Sequence, residues 1–489
     1  MEIARERLKR RRTKIVATVG PASAAPAILE GLVRAGADVF RLNFAHGDHA
    51  SHGELFGRIA EVRERLQAPI AVLADLAGPK IRAGRFEGGS MPLVKGERVT
   101  VTTRPVTGAK GLIPSDYRDL HKDVKAGDAI LLDDGKLQLE VLAVSGTEVE
   151  AEVITGGELR DRKGMNLPGA KLSVPALSDK DREDARFAGG LPVDVLGLSF
   201  VRRASDLEQL ARALGEARSR LVLLAKIEKP EALGDLDAIL RVADAVMVAR
   251  GDLGVELEPE KVPVVQDELV LRAIAAAKPV VIATQMLESM MASLRPTRAE
   301  VSDIAHAVKS GADCVMLSGE TAMGAYPVEA VAMMDRVIRE TEAAMWRQGR
   351  FGSITRDDPE RLAEPGARDR FTLLADGVAH SAAQLSRLLG ARAIVVVSRS
   401  GASARAVAAA RPGCPMVVTS GDPAVLRRMN LLWGAVPVPI AEGIEDPVHL
   451  ARRLVKELEV AGPGDPVLVV RGFDPDPRKN APTLTVLSA

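Results

Sequence analysis

Charged residues stand where two apolar, strand-like runs of the sequence end. Lys226 and Glu228 close the first run. Arg250 and Asp252 close the second. A helical pattern at Pro230–Val242 separates the runs, so we expect them to form neighbouring parallel strands. Residues two apart on a strand point to the same side. This spacing predicts that both carboxylates lie close together beside Lys226. Such a pair suits Mg²⁺, although two salt bridges at strand ends would fit the same pattern.

The two runs belong to a series of eight that alternates with amphipathic helical segments. Eight such units predict a closed (β/α)₈ TIM barrel. The alternative is a doubly wound open sheet, but no Gly-rich dinucleotide fingerprint follows the first strand. The strands are predicted at Thr13–Gly20, Asp38–Phe44, Ile70–Leu76, Val193–Phe200, Leu221–Glu228, Ala245–Asp252, Pro279–Met286 and Cys314–Thr321.

Polar residues gather at the C-terminal ends of these predicted strands, which is the face where TIM barrel enzymes carry their active sites. One charged strand end is unremarkable, but polar residues at so many ends favour a catalytic site over a merely polar rim. The residues are Arg41, Asn43, Asp75, Ser199, Lys226, Glu228, Arg250, Asp252, Thr284, Gln285, Ser318 and Glu320.

The alternation is interrupted between residues 82 and 174, where short strand-like runs are separated by turn signals. This pattern predicts a small all-β domain inserted at the mouth of the barrel, where it could act as a lid. Within it, Arg162, Lys163 and Gly164 offer donors for an anion, or form a solvated turn. The barrel itself is predicted over residues 13–81 and 175–346.

The remaining segments are a basic tail at residues 1–12, a polar linker at 347–370 and an α/β domain of regulatory type at 371–489. In this last domain Ser398, Ser400, Gly401 and Ser403 form a small-residue loop that opens a helix. Free N–H groups at a helix N-terminus can bind a phosphorylated effector. The loop could equally be a plain helix cap.

The amino-acid composition limits the kinds of partner that the chain can bind. The chain has 66 Lys and Arg against 66 Asp and Glu, and only 3% aromatic residues, so we expect binding to neither nucleic acid nor membrane. The basic N-terminus lacks the apolar region of a signal peptide, and no apolar run reaches about 18 residues, which predicts a cytoplasmic protein. The two cysteines stand in apolar runs, as small buried side chains do.

Long stretches of the sequence resemble the pyruvate kinase family, from Thr13 through the barrel and its insertion. The resemblance thins in the third domain, where only pieces such as SGASAR and LLWGAVP are similar. The stretches are TKIVATVGPAS (Thr13–Ser23), RLNFAHG (Arg41–Gly47), KGMNLPG (Lys163–Gly169), AKIEKPE (Ala225–Glu231), MVARGDLGVEL (Met247–Leu257), ATQMLESM (Ala283–Met290), RPTRAEVSD (Arg295–Asp303) and DCVMLSGETAMGAYP (Asp313–Pro327).

The resemblance implies a homotetrameric enzyme of glycolysis that transfers the phosphoryl group of phosphoenolpyruvate to ADP, giving pyruvate and ATP, with Mg²⁺ or Mn²⁺. It implies the following roles. Lys226 and Arg41 stabilise charge on the phosphoryl group, Glu228 and Asp252 hold the divalent ion, and Gly251, Asp252 and Thr284 bind the substrate carboxylate. Asn43, His46, Arg82 and Lys163 lie on the nucleotide side, and Thr284 or Ser318 relays the proton to the enolate.

The sequence departs from the family at the site for a monovalent cation. Asn43 and Asp75 remain, but Ala45 replaces a serine, Leu76 a threonine and Lys80 a glutamate. A lost hydroxyl ligand weakens K⁺ binding, and a lysine ammonium can supply the missing positive charge. We therefore expect an enzyme that does not require K⁺.

Two other functions stay open at this stage. One is a non-catalytic barrel that senses phosphorylated metabolites through its third domain. The other is an aldolase or mutase that acts on pyruvate or phosphoenolpyruvate. The full set of Lys226, Glu228, Asp252 and Arg41 disfavours the sensor, and Arg82 and Lys163 with the large lid disfavour the aldolase or mutase.

Overall fold

The computed structural model describes residues 1–9, 11–170, 172–349, 370–440, 446–473 and 480–489. Eight parallel strands close into a barrel in which each strand pairs with its sequence neighbours and the first pairs with the last, so the predicted TIM barrel is confirmed. Their centres are buried on both faces because helices cover the outside. The strands are Lys14–Thr18, Val39–Asn43, Ala71–Asp75, Val195–Leu198, Val222–Ile227, Ala245–Ala249, Val280–Ala283 and Cys314–Leu317.

Helices connect successive strands, with two differences from the sequence prediction. The segment Pro230–Val242 is broken at Asp235 into two short helices. The sixth strand ends at Ala249, and Arg250–Glu256 is helical, so the prediction that Arg250 and Asp252 lie on a strand is wrong. The helices around the barrel are Pro26–Ala35, His49–Leu66, Asp179–Gly190, Ala204–Leu214, Glu231–Gly234, Leu236–Val242, Arg250–Glu256, Val262–Ala275, Arg298–Ser310, Gly319–Ala322 and Pro327–Arg347.

The insertion after the third barrel strand is built mainly of strands around its own apolar core. A sheet has the order Met165–Asn166, Ala129–Leu132, Leu137–Ser145, Glu148–Thr155, Arg98–Thr102 and Leu112–Pro114, and Ser90–Leu93 pairs with Gly157–Arg160. Leu120–Asp123 is a short helix. The insertion leaves from the C-terminal end of a barrel strand, and so it sits at the mouth of the barrel.

The C-terminal domain is a five-stranded sheet with helices, as predicted. Its strand order is Ala435–Pro439, Met416–Ser420, Ala393–Val397, Pro466–Arg471 and Thr483–Ser488, of which the last is antiparallel. Its helices are Arg370–Leu388, Ala402–Ala409, Pro423–Arg428 and Pro447–Glu457. Most of the predicted linker 347–370 lies outside the described residues. In the described ranges, no helix has the length and apolarity that crossing a membrane would take.

The N-terminal segment is not a tail, which corrects the sequence prediction. Glu2–Leu8 is a helix, and Arg7 and Arg11 are buried against the bottom of the barrel. Arg11 Nη1 pairs with Asp38 Oδ2 at 3.0 Å, and Arg7 Nη1 donates to Asn430 Oδ1 of the C-terminal domain at 3.0 Å. Arg7 therefore joins the barrel to the C-terminal domain, and Arg11 is bound to the barrel.

Aspartates that lie just before barrel strands anchor the C-terminal domain. Asp194 and Asp313 each accept the backbone N–H of a neighbouring strand, from Val72 at 2.9 Å and Val280 at 3.0 Å. Their remaining oxygens pair with arginines of the C-terminal domain, Arg427 Nε at 2.7 Å from Asp194 Oδ1 and Arg411 Nη1 at 2.7 Å from Asp313 Oδ1. Asp38 holds Ile15 and Arg11 in the same way.

Candidate active site

Lys226 is the centre of the polar cluster at the C-terminal end of the barrel. It lies on the fifth strand and is only 8% exposed. Its Nζ is 3.3 Å from Asp75 Oδ1 and 3.0 Å from Glu228 Oε1, and it donates to Ser199 Oγ at 2.6 Å. Burial works to lower the pKa of Lys226, but the two carboxylates outweigh burial and raise it. The ammonium therefore stays charged in a site almost closed to water.

Asp75 also binds a second positively charged side chain of the cluster, that of Arg41. Its Oδ2 accepts from Arg41 Nε at 2.7 Å and lies 2.6 Å from Arg41 Nη2, a bidentate pair. Arg41 Nη1 also donates to Thr18 Oγ1 at 3.1 Å. Burial pushes the pKa of Asp75 up, but Lys226 and Arg41 outweigh it and hold that pKa below its usual value. Asp75 thus orients both the lysine and the arginine.

Glu228 and Asp252 are brought together as the sequence predicts, although by different elements. Glu228 follows the fifth strand and accepts the backbone N–H of Phe200 at 2.7 Å. Asp252 lies in the first turn of the helix that follows the sixth strand, and its Oδ1 is 3.3 Å from Lys80 Nζ. Burial, and repulsion from Asp252, raise the pKa of Glu228 against the opposing effect of Lys226.

This carboxylate pair fits a divalent ion. No group of three or more Asp, Glu, His or Cys that could hold a metal occurs in the part of the chain that the structure describes. Mg²⁺ commonly takes one or two carboxylates and completes its shell with water and substrate oxygens. Burial raises the pKa of Glu228 most and repulsion from Asp252 adds to it, and a cation placed between the two carboxylates would relieve that repulsion. The chemistry of the donors therefore suits Mg²⁺ or Mn²⁺.

Gly251 and Thr284 form one wall of the site. The N–H of Gly251 donates to Thr284 Oγ1 at 2.8 Å, and a Cβ on Gly251 would lie 3.4 Å from the same oxygen. Thr284 has a φ of 72°, a strained conformation for a β-branched residue. Arg250 supports it, because its Nη2 donates to the carbonyl of Thr284 at 2.6 Å while its Nη1 pairs with Asp303 at 2.6 Å.

Ser318 follows the eighth strand and carries a buried hydroxyl. Its Oγ is buried and has no hydrogen-bond partner among the described residues. The backbone N–H of Ser318 donates to Glu320 Oε2 at 2.7 Å, which fixes the turn after the eighth strand. By contrast, the hydroxyl of Thr284 already donates to the carbonyl of Ala283 at 2.6 Å.

The ammonium of Lys226 is held by Asp75, Glu228 and Ser199. Of the residues predicted for the nucleotide side, Asn43 is paired with Asp75 in the barrel. Asn43 Oδ1 accepts the N–H of Ala45 at 3.2 Å, and His46 is exposed. In the lid, Lys163 Nζ lies 2.8 Å from Asp133 Oδ1. Arg82 Nη1 donates to a backbone carbonyl of the lid, that of Arg162, at 3.2 Å. These side chains lie at the entrance and in the lid.

The loop that carries His46 is held by a second histidine. The ring of His52 stacks on Phe44, with centroids 4.2 Å apart and an angle of 5°. His52 Nε2 lies 2.8 Å from the carbonyl of His46 and must be the donor, since a carbonyl only accepts. Burial lowers the pKa of His52, which favours a neutral ring. His52 is a residue that sequence reasoning missed.

In the candidate effector loop, serine side chains accept backbone N–H groups of the same loop. Ser398 Oγ accepts the N–H of Gly401 at 3.0 Å, and Ser400 Oγ accepts that of Ala402 at 3.4 Å. Ser400 is exposed, whereas Ser398 and Ser403 are buried. Gly401 has a φ of 87°, which favours glycine at that position.

Sequence reasoning also missed two contacts of the central cluster. Ser199, noted only as a polar strand end, accepts from Lys226 and donates to the carbonyl of Leu76 at 2.7 Å. The backbone of Phe200, with a φ of 54°, supplies the N–H that holds Glu228. No sequence signal could have identified the backbone N–H of Phe200. Ser199 could have been identified, because it lies at the C-terminal end of a predicted barrel strand.

Known proteins give an independent identification. The families described as "Pyruvate kinase, barrel domain" and "Pyruvate kinase, alpha/beta domain" match residues 10–331 and 376–487. The pyruvate kinase of Agrobacterium vitis is 42% identical over 467 residues, covering 95% of this chain and 94% of the relative. That of Corynebacterium glutamicum is 41% identical over 95% of both chains. That of Mycobacterium tuberculosis is 40% identical over 95% of this chain and 96% of the relative. By its sequence, its barrel and its cluster around Lys226, this chain belongs to the pyruvate kinase family of phosphotransferases.

Proposed function

We propose that the protein is a Mg²⁺- or Mn²⁺-dependent pyruvate kinase of glycolysis that works in the cytoplasm, transferring the phosphoryl group of phosphoenolpyruvate to ADP. The observation that carries the proposal is the buried ammonium of Lys226, held at 3.3 Å from Asp75 and 3.0 Å from Glu228. The relatives' name supports the reaction.

To catalyse phosphoryl transfer, the protein must mainly position the reactants and neutralise the charge on the phosphoryl group. Lys226 places a fixed positive charge where the phosphoryl group and the enolate develop negative charge. Arg41, oriented by Asp75, would hold the phosphoryl oxygens from the other side. Glu228 and Asp252 would hold the divalent ion, which supplies further neutralisation of the transferring oxygens.

The substrate carboxylate would be bound beside Gly251. Because this residue has no side chain, a carboxylate can approach the backbone N–H groups of Gly251 and Asp252 and the hydroxyl of Thr284. The N–H of Gly251 and the hydroxyl of Thr284 would exchange their present bonds, to Thr284 Oγ1 and to the carbonyl of Ala283, for bonds to the substrate. The enolate formed after transfer must take a proton on carbon. Between the two candidates we favour Ser318, because its buried hydroxyl has no partner in the described ranges, whereas that of Thr284 is engaged by Ala283. Asn43, His46, Arg82 and Lys163 would meet ADP when the lid closes.

We also propose that the enzyme does not require K⁺. The oxygens that remain of the family's cation site have protein partners: both carboxylate oxygens of Asp75 face cations, and Asn43 Oδ1 accepts from Ala45. The carbonyl of Leu76 accepts from a serine hydroxyl at 2.7 Å. Lys80 adds a fixed positive charge at the same mouth of the barrel, although its nearest carboxylate is Asp252 rather than Asp75.

The first test is pyruvate formation from phosphoenolpyruvate and ADP with Mg²⁺, once with K⁺ and once with a bulky quaternary ammonium ion. Substantial and equal rates in both are the expected result. Activity only with K⁺ would keep the reaction and remove the proposal about the cation. Inactivity in both buffers, with phosphorylated effectors added, would favour the non-catalytic sensor. Pyruvate consumption by carbon–carbon bond formation would favour the aldolase.

Replacing Lys80 with glutamate should make the enzyme dependent on K⁺. The substitution removes a positive charge 3.3 Å from Asp252 and adds a negative one, so we expect the K⁺-free kcat to fall by about tenfold or more and K⁺ to restore part of it. The control is Lys95→Glu, the same charge change on an exposed residue of the lid. A Lys80→Glu enzyme that keeps its K⁺-free rate would contradict the proposal.

Replacing His52 with phenylalanine should weaken ADP binding. Phenylalanine can keep the stack on Phe44 but cannot donate to the carbonyl of His46, so the nucleotide loop loses a hydrogen bond worth about 1 kcal/mol. We expect KM for ADP to rise about fivefold, with KM for phosphoenolpyruvate unchanged. Steady-state kinetics on His449→Phe, an exposed histidine of the C-terminal domain, is the control. Equal increases in both KM values would assign His52 a general structural role instead.

Assembly and regulation complete the proposal. We propose a homotetramer, which sedimentation analysis of the full chain can test. We also propose that the loop at Ser398, Ser400, Gly401 and Ser403 binds a phosphorylated effector, and its exposed member Ser400 is the residue to replace with a bulky acid. Activation that survives the replacement would leave this loop as a helix cap only.

A further inference from the structure

A buried ion pair close to the active site joins Lys229 to Glu256. Lys229 directly follows Glu228, and Glu256 is the last residue of the helix Arg250–Glu256. Lys229 Nζ lies 2.6 Å from Glu256 Oε1, and the two side chains are 7% and 2% exposed. Two charges so fully enclosed are costly to desolvate unless further hydrogen bonds satisfy them. The other partners of this pair therefore matter.

The third member of the cluster comes from the lid. Asn166 Nδ2 donates to Glu256 Oε1 at 3.1 Å, and Asn166 is also buried. This residue lies on the short lid strand Met165–Asn166, which follows Lys163 and pairs with Ala129–Leu132. One carboxylate oxygen thus binds a barrel side chain and a lid side chain together. Glu256 is a point at which the lid is attached to the barrel.

The lid lies close to the same helix at a second point. A Cβ on Gly135, in the turn after the lid strand Ala129–Leu132, would lie 3.9 Å from Val255 Cγ1. A cavity between Asn166 and the barrel residues Phe200 and Lys229 measures only about 20 Å³, room for about one water molecule. The lid is therefore packed against the last turn of the helix.

The first turn of the same helix carries groups assigned to the substrate. Gly251 and Asp252 lie there, where they would bind the carboxylate of phosphoenolpyruvate and the divalent ion. The helix has seven residues, which makes it about 10 Å long. Its backbone hydrogen bonds make so short a helix move as a unit, so a shift of the last turn also shifts the first.

We propose that Asn166, Glu256 and Lys229 form a latch that positions the lid over the active site and couples the binding of ADP to that of phosphoenolpyruvate. Glu256 is a positioning residue, because it acts on the substrates only through Asn166 and through the helix Arg250–Glu256. This role rests on the proposed function, under which ADP binds at the lid and phosphoenolpyruvate at this helix. Two ligands that favour the same arrangement each strengthen the binding of the other.

Replacing Asn166 with leucine tests the latch. Leucine has nearly the volume of asparagine but cannot donate to Glu256, which keeps its pair with Lys229. We expect KM for ADP to rise about tenfold, as for the loss of a hydrogen bond to a charged group. At saturating ADP, KM for phosphoenolpyruvate should stay within about twofold. The control, Thr102→Val, removes a hydrogen bond of 2.8 Å to Glu148 inside the lid and should change neither constant.

Calorimetry measures the coupling without turnover. ADP is titrated into the protein in Mg²⁺ buffer with and without pyruvate, which carries the substrate carboxylate but has no phosphoryl group to transfer. Wild-type protein should bind ADP at least about fivefold more tightly with pyruvate present, and Asn166→Leu should lose most of this difference. Wild-type protein that forms no pyruvate from phosphoenolpyruvate would remove the proposed function and the latch with it. An active wild type beside an Asn166→Leu variant with unchanged KM for ADP would overturn the latch alone.

A second variant removes the acceptor instead of the donor. In Lys229→Met/Glu256→Met, apolar side chains of similar size replace both partners of the ion pair, an exchange that is often neutral for stability. KM for ADP should rise as in Asn166→Leu, so this variant serves if Asn166→Leu misfolds. Adding Asn166→Leu to it should raise KM no further, because both changes remove the same contact. A further increase of about tenfold would show that Asn166 acts without Glu256, which would contradict the latch.

Discussion

Replacing Lys226 with alanine is expected to lower kcat for pyruvate formation by about 10²–10³. The lysine ammonium is preorganised by Asp75, Glu228 and Ser199 in a site almost closed to water, where a fixed charge acts most strongly on charge that develops during the reaction. Its removal also leaves Glu228 without its ammonium partner. Because the lysine acts mainly on the transition state, KM for phosphoenolpyruvate should change far less than kcat.

Steady-state kinetics of Lys226→Ala at saturating Mg²⁺ measures this effect. The control is Lys278→Ala, a half-buried barrel lysine near the start of the seventh strand, whose Nζ donates to the carbonyl of Ala243 at 2.6 Å. We expect the control to keep its kcat within about twofold, since Lys278 contacts no group of the active site. A loss of tenfold or less in Lys226→Ala would tell against electrostatic stabilisation by this residue.

Replacing Arg411 with leucine is expected to destabilise the protein by about 3–5 kcal/mol. Arg411 is 1% exposed, pairs with both carboxylate oxygens of Asp313 at 2.7 and 3.0 Å and donates to the carbonyl of Gly311 at 2.7 Å. Its guanidinium also lies 5.3 Å from the centre of the Trp433 ring. Leucine would leave the carboxylate of Asp313 buried with backbone donors only, which costs more than the pair itself contributes.

Thermal and urea unfolding would measure the loss. The control is Arg392→Leu in the same domain, where the ion pair with Asp465 is 3.7 Å long and exposed, so Tm should stay nearly constant. Arg411→Leu should lower both Tm and the urea midpoint clearly. If the two variants unfolded alike, the contact between Arg411 and Asp313 would not be important for stability.

The barrel could be predicted from the sequence because its strands are buried on both faces and read as short apolar runs. The charged strand end also predicted that Lys226 and Glu228 lie side by side, and they are 3.0 Å apart. Asp252 was placed near Glu228 for the wrong structural reason, since Arg250–Glu256 is helical. A run of apolar residues that ends in Arg and Gly does not reveal where the strand gives way to a helix.

Two other features could not be predicted because their cause lies far away in sequence. Arg7 and Arg11 read as a solvated basic tail, and their burial is explained by partners that are distant in sequence, such as Asp38 and Asn430. The strand Ala435–Pro439 holds two prolines, which argue against a central strand. It lies at the edge of the C-terminal sheet, where a missing N–H is tolerated.

The aspartates that precede barrel strands decide how far the two domains can be exchanged between proteins. Asp194 and Asp313 each accept a backbone N–H from a neighbouring barrel strand, and each also pairs with an arginine of the C-terminal domain. A chimaera that brings in a foreign C-terminal domain must therefore supply guanidinium groups at positions 411 and 427. Without them, Asp313 would have no arginine partner and Asp194 would keep only Arg63 of the barrel, so the chimaera would be less stable than either parent protein.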